Sequence, residues 1–146
     1  MKMKFGFFSG IIAVAILTTG SLWAADPIVG KWKTIDDETK KEKSVVELYL
    51  QDGQVFGKVL QLMDPKEKGK ACEKCTGANK GKPVEGMVIL KNMKDQGDEW
   101  AGGTILDPAK GKEYKSKMKV IEGGNKLQTK GCIAFLCRSQ IWVKAN

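Results

Sequence analysis

Four cysteines, a scatter of carboxylates and no histidine set the chemistry open to this 146-residue chain. Cys72 and Cys75 form a C-x-x-C pair, and Cys132 and Cys137 lie five residues apart. Zinc would need these thiols reduced, and histidine is absent as a co-ligand. Thr76 follows Cys75 where covalent haem attachment requires histidine. A redox C-x-x-C opens an apolar helix whose N-terminus lowers a thiol pKa. Here the pair sits among glycine, lysine and proline. Structural disulfides are favoured, with redox exchange as the alternative. Three pairings are open, and the local pairs Cys72–Cys75 and Cys132–Cys137 are preferred. A Ser-His-Asp triad is excluded for want of the imidazole base. Asp36, Asp37, Asp98, Asp107 and Glu113 can supply paired carboxylates, but each also has an ordinary loop or turn role. Asp107 precedes Pro108 and reads first as a turn residue. No phosphate-binding glycine loop is present. No catalytic residue, no metal and no cofactor is assigned.

These residues need a frame, and residues 99–121 show it most clearly. An apolar strand runs into the turn signals Asp107-Pro108 and Gly111. Tyr114, Ser116, Met118 and Val120 then alternate with Lys115, Lys117 and Lys119. A period of two with one cationic face predicts an antiparallel sheet wet on one side. Further strands are predicted over 28–35, 44–50, 54–62, 86–91, 126–133 and 138–144. Asp52-Gly53 is a hairpin signal and residues 122–125 a tight turn. Gly102-Gly103 marks a bulge or bend. Residues 63–85 form a long loop rich in glycine and lysine, either functional or simply solvated. The fold class is all-β, an up-and-down antiparallel arrangement of about eight strands. A closed barrel removes both sheet edges, with a flatter sandwich as the rival. If the barrel holds a ligand, Trp100, Tyr114, Ser116, Met118 and Gln140 are the residues expected to line the site. A filled core is the alternative.

Residues 1–25 read as a cleavable signal peptide: Lys2 and Lys4, an apolar run over 5–17, then a small and polar stretch. An uncleaved anchor is the competing reading. The apolar run is short for a membrane span, so no stable span is expected after cleavage. Residues 26–146 then form one domain destined for the periplasm or the exterior, where disulfides persist. Of the 25 basic residues only Arg138 is arginine. Removing Lys2 and Lys4 leaves (25 − 2) − 17 = +6. Spread lysine with a single arginine argues against nucleic acid as a partner and for a small acidic or amphipathic ligand, or an anionic envelope component.

Gly30-Lys31-Trp32 on the first strand and Arg138 on the last resemble the lipocalin-like (calycin) barrels. That resemblance implies an end-cap in which Arg138 stacks on Trp32. The chain is also similar, over nearly all of residues 26–146, to exported bacterial proteins grouped as domain-of-unknown-function family 2147. The similarity rests on G-K-W-K-T-I-D-D-E-T from position 30, K-S-V-V-E-L-Y from 43 and C-E-K-C-T-G from 72. It continues in G-M-V-I-L from 86, W-A-G-G-T-I-L-D-P-A-K-G-K-E-Y from 100 and R-S-Q-I-W from 138. It implies a secreted lipocalin-like barrel and brings no activity. The expected function is non-enzymatic binding of a small amphipathic or apolar molecule, with basic residues of the 63–85 loop favouring an anionic head group. The alternatives are a filled module meeting anionic polymers or a protein through its lysine face, and a C-x-x-C redox protein.

Overall fold

The structure, a computed structural model, describes residues 26–146. The signal-peptide reading falls on residues 1–25, outside the described residues. Eight strands run in order: β1 (Gly30–Ile35), β2 (Glu42–Gln51), β3 (Gln54–Leu62), β4 (Val88–Asp95), β5 (Trp100–Asp107), β6 (Lys112–Ile121), β7 (Lys126–Ile133) and β8 (Leu136–Lys144). Each pairs antiparallel with its neighbour in sequence, and β1 pairs β8 to close the barrel. This decides for the barrel over the sandwich. The closing seam is short, with Trp32 opposite Lys144 and Lys33 opposite Val143.

Alternation sets which side chains turn inward. On β6, Ser116 and Met118 are buried while Lys115, Lys117 and Lys119 are exposed. The outer lysines are partly neutralised, since Lys117 lies 3.9 Å from Glu99 and Lys119 3.7 Å from Asp98. Asp52 and Gly53 both take positive φ, as a two-residue hairpin turn requires. The β5–β6 register shifts between Ala101 and Gly103, which places the expected bulge. Strand β4 runs four residues past its expected end. Asn92 sits at φ +56 within it and interrupts the alternation by which a strand is read.

The two ends of the barrel differ. At one end short turns join β2–β3, β4–β5 and β6–β7, and Trp32, Leu48, Val55, Met93, Met118 and Leu127 form a buried floor. At the other end lie the β1–β2 loop, the long β3–β4 loop, the β5–β6 turn and the β7–β8 turn. The β3–β4 loop is built rather than merely solvated. It contains two short 3₁₀ turns and a bridge between Ala71 and Pro83. Cys72, Cys75, Val84 and Met87 are buried in the common core. Gly111 fixes where this loop docks: at φ +65, a Cβ there would fall 2.0 Å from the Lys74 carbonyl oxygen. Only glycine meets both demands.

Candidate ligand-binding site

The open end holds a cavity of about 210 Å³. Its walls come from Ile89 on β4, Ile105 and Leu106 on β5, Tyr114 on β6, Gly131 on β7 and Trp142 on β8. Strand pairing explains part of the convergence, since Ile105 lies directly opposite Tyr114 and Gly131 opposite Arg138. The volume exceeds the roughly 150 Å³ that accommodates benzene and falls below the ~300–1,000 Å³ of sites for drug-sized ligands. It suits one ring or a short chain.

Polar groups in this apolar lining are few and individually placed. Thr34 and Ser44 satisfy each other, hydroxyl to hydroxyl at 2.7 Å. Thr129 is buried, lines the cavity, and its Oγ1 has no hydrogen-bond partner among the described residues. The Ser116 hydroxyl is likewise buried and unpaired. An unpaired buried hydroxyl carries a desolvation cost that an incoming polar atom can relieve. Lys43, Lys110 and Arg138 also line the cavity, against the single carboxylate Asp107. Asp107 is engaged in its turn, where Oδ1 accepts from the Ala109 N–H at 3.0 Å.

A clasp spans the mouth. The Arg138 guanidinium pairs with Asp37 at 2.9 Å, and the Gln140 amide donates to the same carboxylate oxygen at 3.1 Å. Asp37 belongs to the β1–β2 loop, which its neighbour Asp36 holds. Asp36 Oδ1 accepts from the Thr39 N–H at 2.7 Å, the Thr39 hydroxyl at 2.9 Å and the Glu38 N–H at 3.1 Å. The Thr39 N–H, then the Thr39 hydroxyl, hold the Asp36 pKa below the usual carboxylate value.

The structure divides the expected site residues. Tyr114 and Gln140 line the cavity. Trp100 and Met118 are opposite each other at the closed end, Met118 within the buried floor, and Ser116 lies beside the cavity without lining it. The period of two put all of β6 on the correct face, but it carries no information on depth along the barrel. The basic rim also has a different source. It is formed by Lys43, Lys110 and Arg138, and no residue of the 63–85 loop lines the cavity. Thr129 and Thr34 were not singled out in the sequence, and their inward position in β7 and β1 was the available signal.

The end-cap needs correction. Trp32 is fully buried, and Lys144 rather than Arg138 lies over its ring, with Nζ 4.3 Å from the centroid. Arg138 is six residues away along β8, about 20 Å at the usual rise per residue. Its side chain is 62% exposed and committed to Asp37. The Lys144 ammonium also donates to the Val29 and Pro27 carbonyls at 3.0 and 3.2 Å, which anchors it where arginine was expected. Gly30 makes room for this group: its φ is +131, and a Cβ would lie 3.1 Å from Lys144 Nζ. The Trp32 indole donates to the Ile28 carbonyl at 2.8 Å.

The cysteines pair locally, Cys72 with Cys75 and Cys132 with Cys137. Both members of the first pair are buried. Cys72 Sγ lies 3.3 Å from the Pro108 carbonyl oxygen, a packing contact, because a disulfide sulfur has no proton to donate.

Residues 30–144 match the model of a family described as uncharacterized proteins conserved in bacteria, DUF2147. The chain belongs to this family. Among solved structures the DUF2147 chain is similar to protein HP1028 from the human pathogen Helicobacter pylori, which is described as belonging to the lipocalin family. The two share 18% identity with a TM-score of 0.72, over 82% of this chain and 83% of that one. At that identity the likeness shows the fold. No curated protein matches the chain.

Proposed function

We propose that the barrel is a non-enzymatic binding protein that holds one small amphipathic anion in its mouth cavity. The ligand is an apolar ring or short chain bearing a carboxylate or similar group. One observation carries this reading: a buried, unpaired Thr129 hydroxyl lies in an apolar cavity whose lining includes three cations and one acid. The apolar part would pack on Ile89, Ile105, Tyr114 and Trp142, and the anion would meet Arg138 in competition with Asp37. The reading places the protein in an oxidising compartment, periplasmic or extracellular, in keeping with its two disulfides. Burial of Cys72 and Cys75 withholds them from thiol attack, which weighs against a redox role.

Native mass spectrometry of protein purified gently from its own compartment, followed by solvent extraction, tests the reading. A reproducible added mass that leaves on extraction is expected. Gly131→Leu should abolish it in a folded barrel, since its side chain would grow toward Tyr114 and Ile105. A persistent adduct in that variant, or an apo mass together with no binding of short-chain fatty acids by calorimetry, overturns it.

A further inference from the structure

The β7–β8 hairpin ends in an apex that departs from ordinary turn chemistry. Its sequence is Ile133-Ala134-Phe135-Leu136, with no Gly, Asn, Asp or Pro. Turns of this kind normally take such residues because positive φ suits them. Ala134 nonetheless sits at φ +52. The side chains above it are bare: Phe135 is 90% exposed, Leu136 69% and Ile133 59%. The apex is also held rigid. Ile133 pairs with Leu136, and directly below it the cross-strand neighbours Cys132 and Cys137 are joined covalently. A free loop can fold its apolar groups back onto the body of the protein; this one presents them outward.

The charges nearest the apex on its own hairpin are basic. Near the apex this hairpin carries Lys130, two residues before Cys132, and Arg138, which follows Cys137 and pairs with Asp37; Lys126 and Lys144 stand at its far end. On β6, Lys115 lies directly opposite Cys132, while Lys117, opposite Lys130, is partly neutralised by Glu99. We propose that this disulfide-braced apex is a membrane-docking wedge that inserts Phe135, Leu136 and Ile133 into the surface of an anionic lipid bilayer, with Lys115 and Lys130 meeting the headgroups. An apolar wedge flanked by cations is an arrangement that interfacial binding rewards. A convex two-residue tip is poorly suited to a stable protein interface, which requires about 1,200 Å² or more of buried surface. Rigidity favours docking because no loop has to be ordered on contact. Arg138 and Gly131 adjoin the two cysteines and also line the cavity, so docking would turn the mouth toward the membrane. The inference stands on the apex and does not require the cavity to be occupied.

Flotation of the disulfide-intact protein with vesicles tests it. Phosphatidylcholine vesicles containing phosphatidylglycerol are compared with phosphatidylcholine alone. The wild type should float with the anionic vesicles, and the double substitution Phe135→Ser with Leu136→Ser should reduce its partitioning by at least about tenfold. Phe135→Asn alone, which suits the turn, should reproduce part of the loss and serves if the double variant folds poorly. Absence of wild-type flotation overturns the proposal. So does flotation that survives both substitutions and disappears with salt, which would assign binding to the lysine face. A dimer in sedimentation that the same substitutions dissolve, without flotation, overturns it in favour of a second copy of the chain.

Discussion

Lys144 and Trp32 are partners across the seam of the barrel, the ammonium standing 4.3 Å from the centre of the buried indole. The lysine is held by two backbone carbonyls as well as the ring. Lys144→Met keeps the stem and removes the charge, and should cost about 0.5–2 kcal/mol in urea denaturation. Arg138→Ala breaks an exposed ion pair and should cost about 0–1 kcal/mol. The reverse ranking would return the capping role to arginine.

Thr129 predicts opposed effects on stability and binding. Thr129→Val replaces an unpaired buried hydroxyl with a methyl group of similar shape. The ligand-free barrel should gain about 1 kcal/mol in denaturant melts. If the hydroxyl meets the ligand, affinity for a short-chain fatty acid should fall about tenfold in calorimetry. A destabilised variant would mean that the hydroxyl already has a partner.

Gly111 and Gly53 both sit at positive φ, yet their surroundings differ. A Cβ at Gly53 meets nothing within 4 Å, whereas one at Gly111 collides with the backbone of Lys74 and Cys75. Gly53→Ala should therefore cost only the backbone penalty, about 1–2 kcal/mol. Gly111→Ala should cost distinctly more and raise hydrogen exchange in residues 70–84. Equal losses would show that the long loop does not depend on this contact.

Asp36 makes the mouth sensitive to acid. Its folded-state pKa lies below the ordinary value, so its contribution to stability is fully present above the unfolded value, about 3.9. That contribution is lost as pH falls through the depressed folded value. Amide protons of Glu38 and Thr39 should lose protection in this acid window, and Asp36→Asn should remove that titration. A loop unchanged down to the global acid transition would contradict this.

Much of the architecture was legible in the sequence because alternation, Asp-Gly turns and Asp-Pro turns are local signals. The same alternation places Tyr114 and Gln140 on the inward face, where both line the cavity. Depth was not legible: Met118 and Tyr114 share a face, but only the closed-barrel register puts one in the floor and the other at the mouth. The lipocalin-like resemblance points to Arg138 as the cap, whereas the β1–β8 pairing puts Lys144 beside Trp32. Docking of residues 63–85 depends on a distant glycine, Gly111, which no local pattern connects to it.

The short seam between β1 and β8 has a mechanical meaning. The barrel is a rolled strip whose two margins share little backbone and are buttoned by side chains, one within the overlap and one above it. Lys144 fastens the lower margin to Trp32, and Arg138 fastens the upper margin to Asp37. The lower button is partly buried and should be indifferent to salt; the upper one is exposed and should loosen as ionic strength rises. As salt rises the mouth rim should therefore open more readily than the floor.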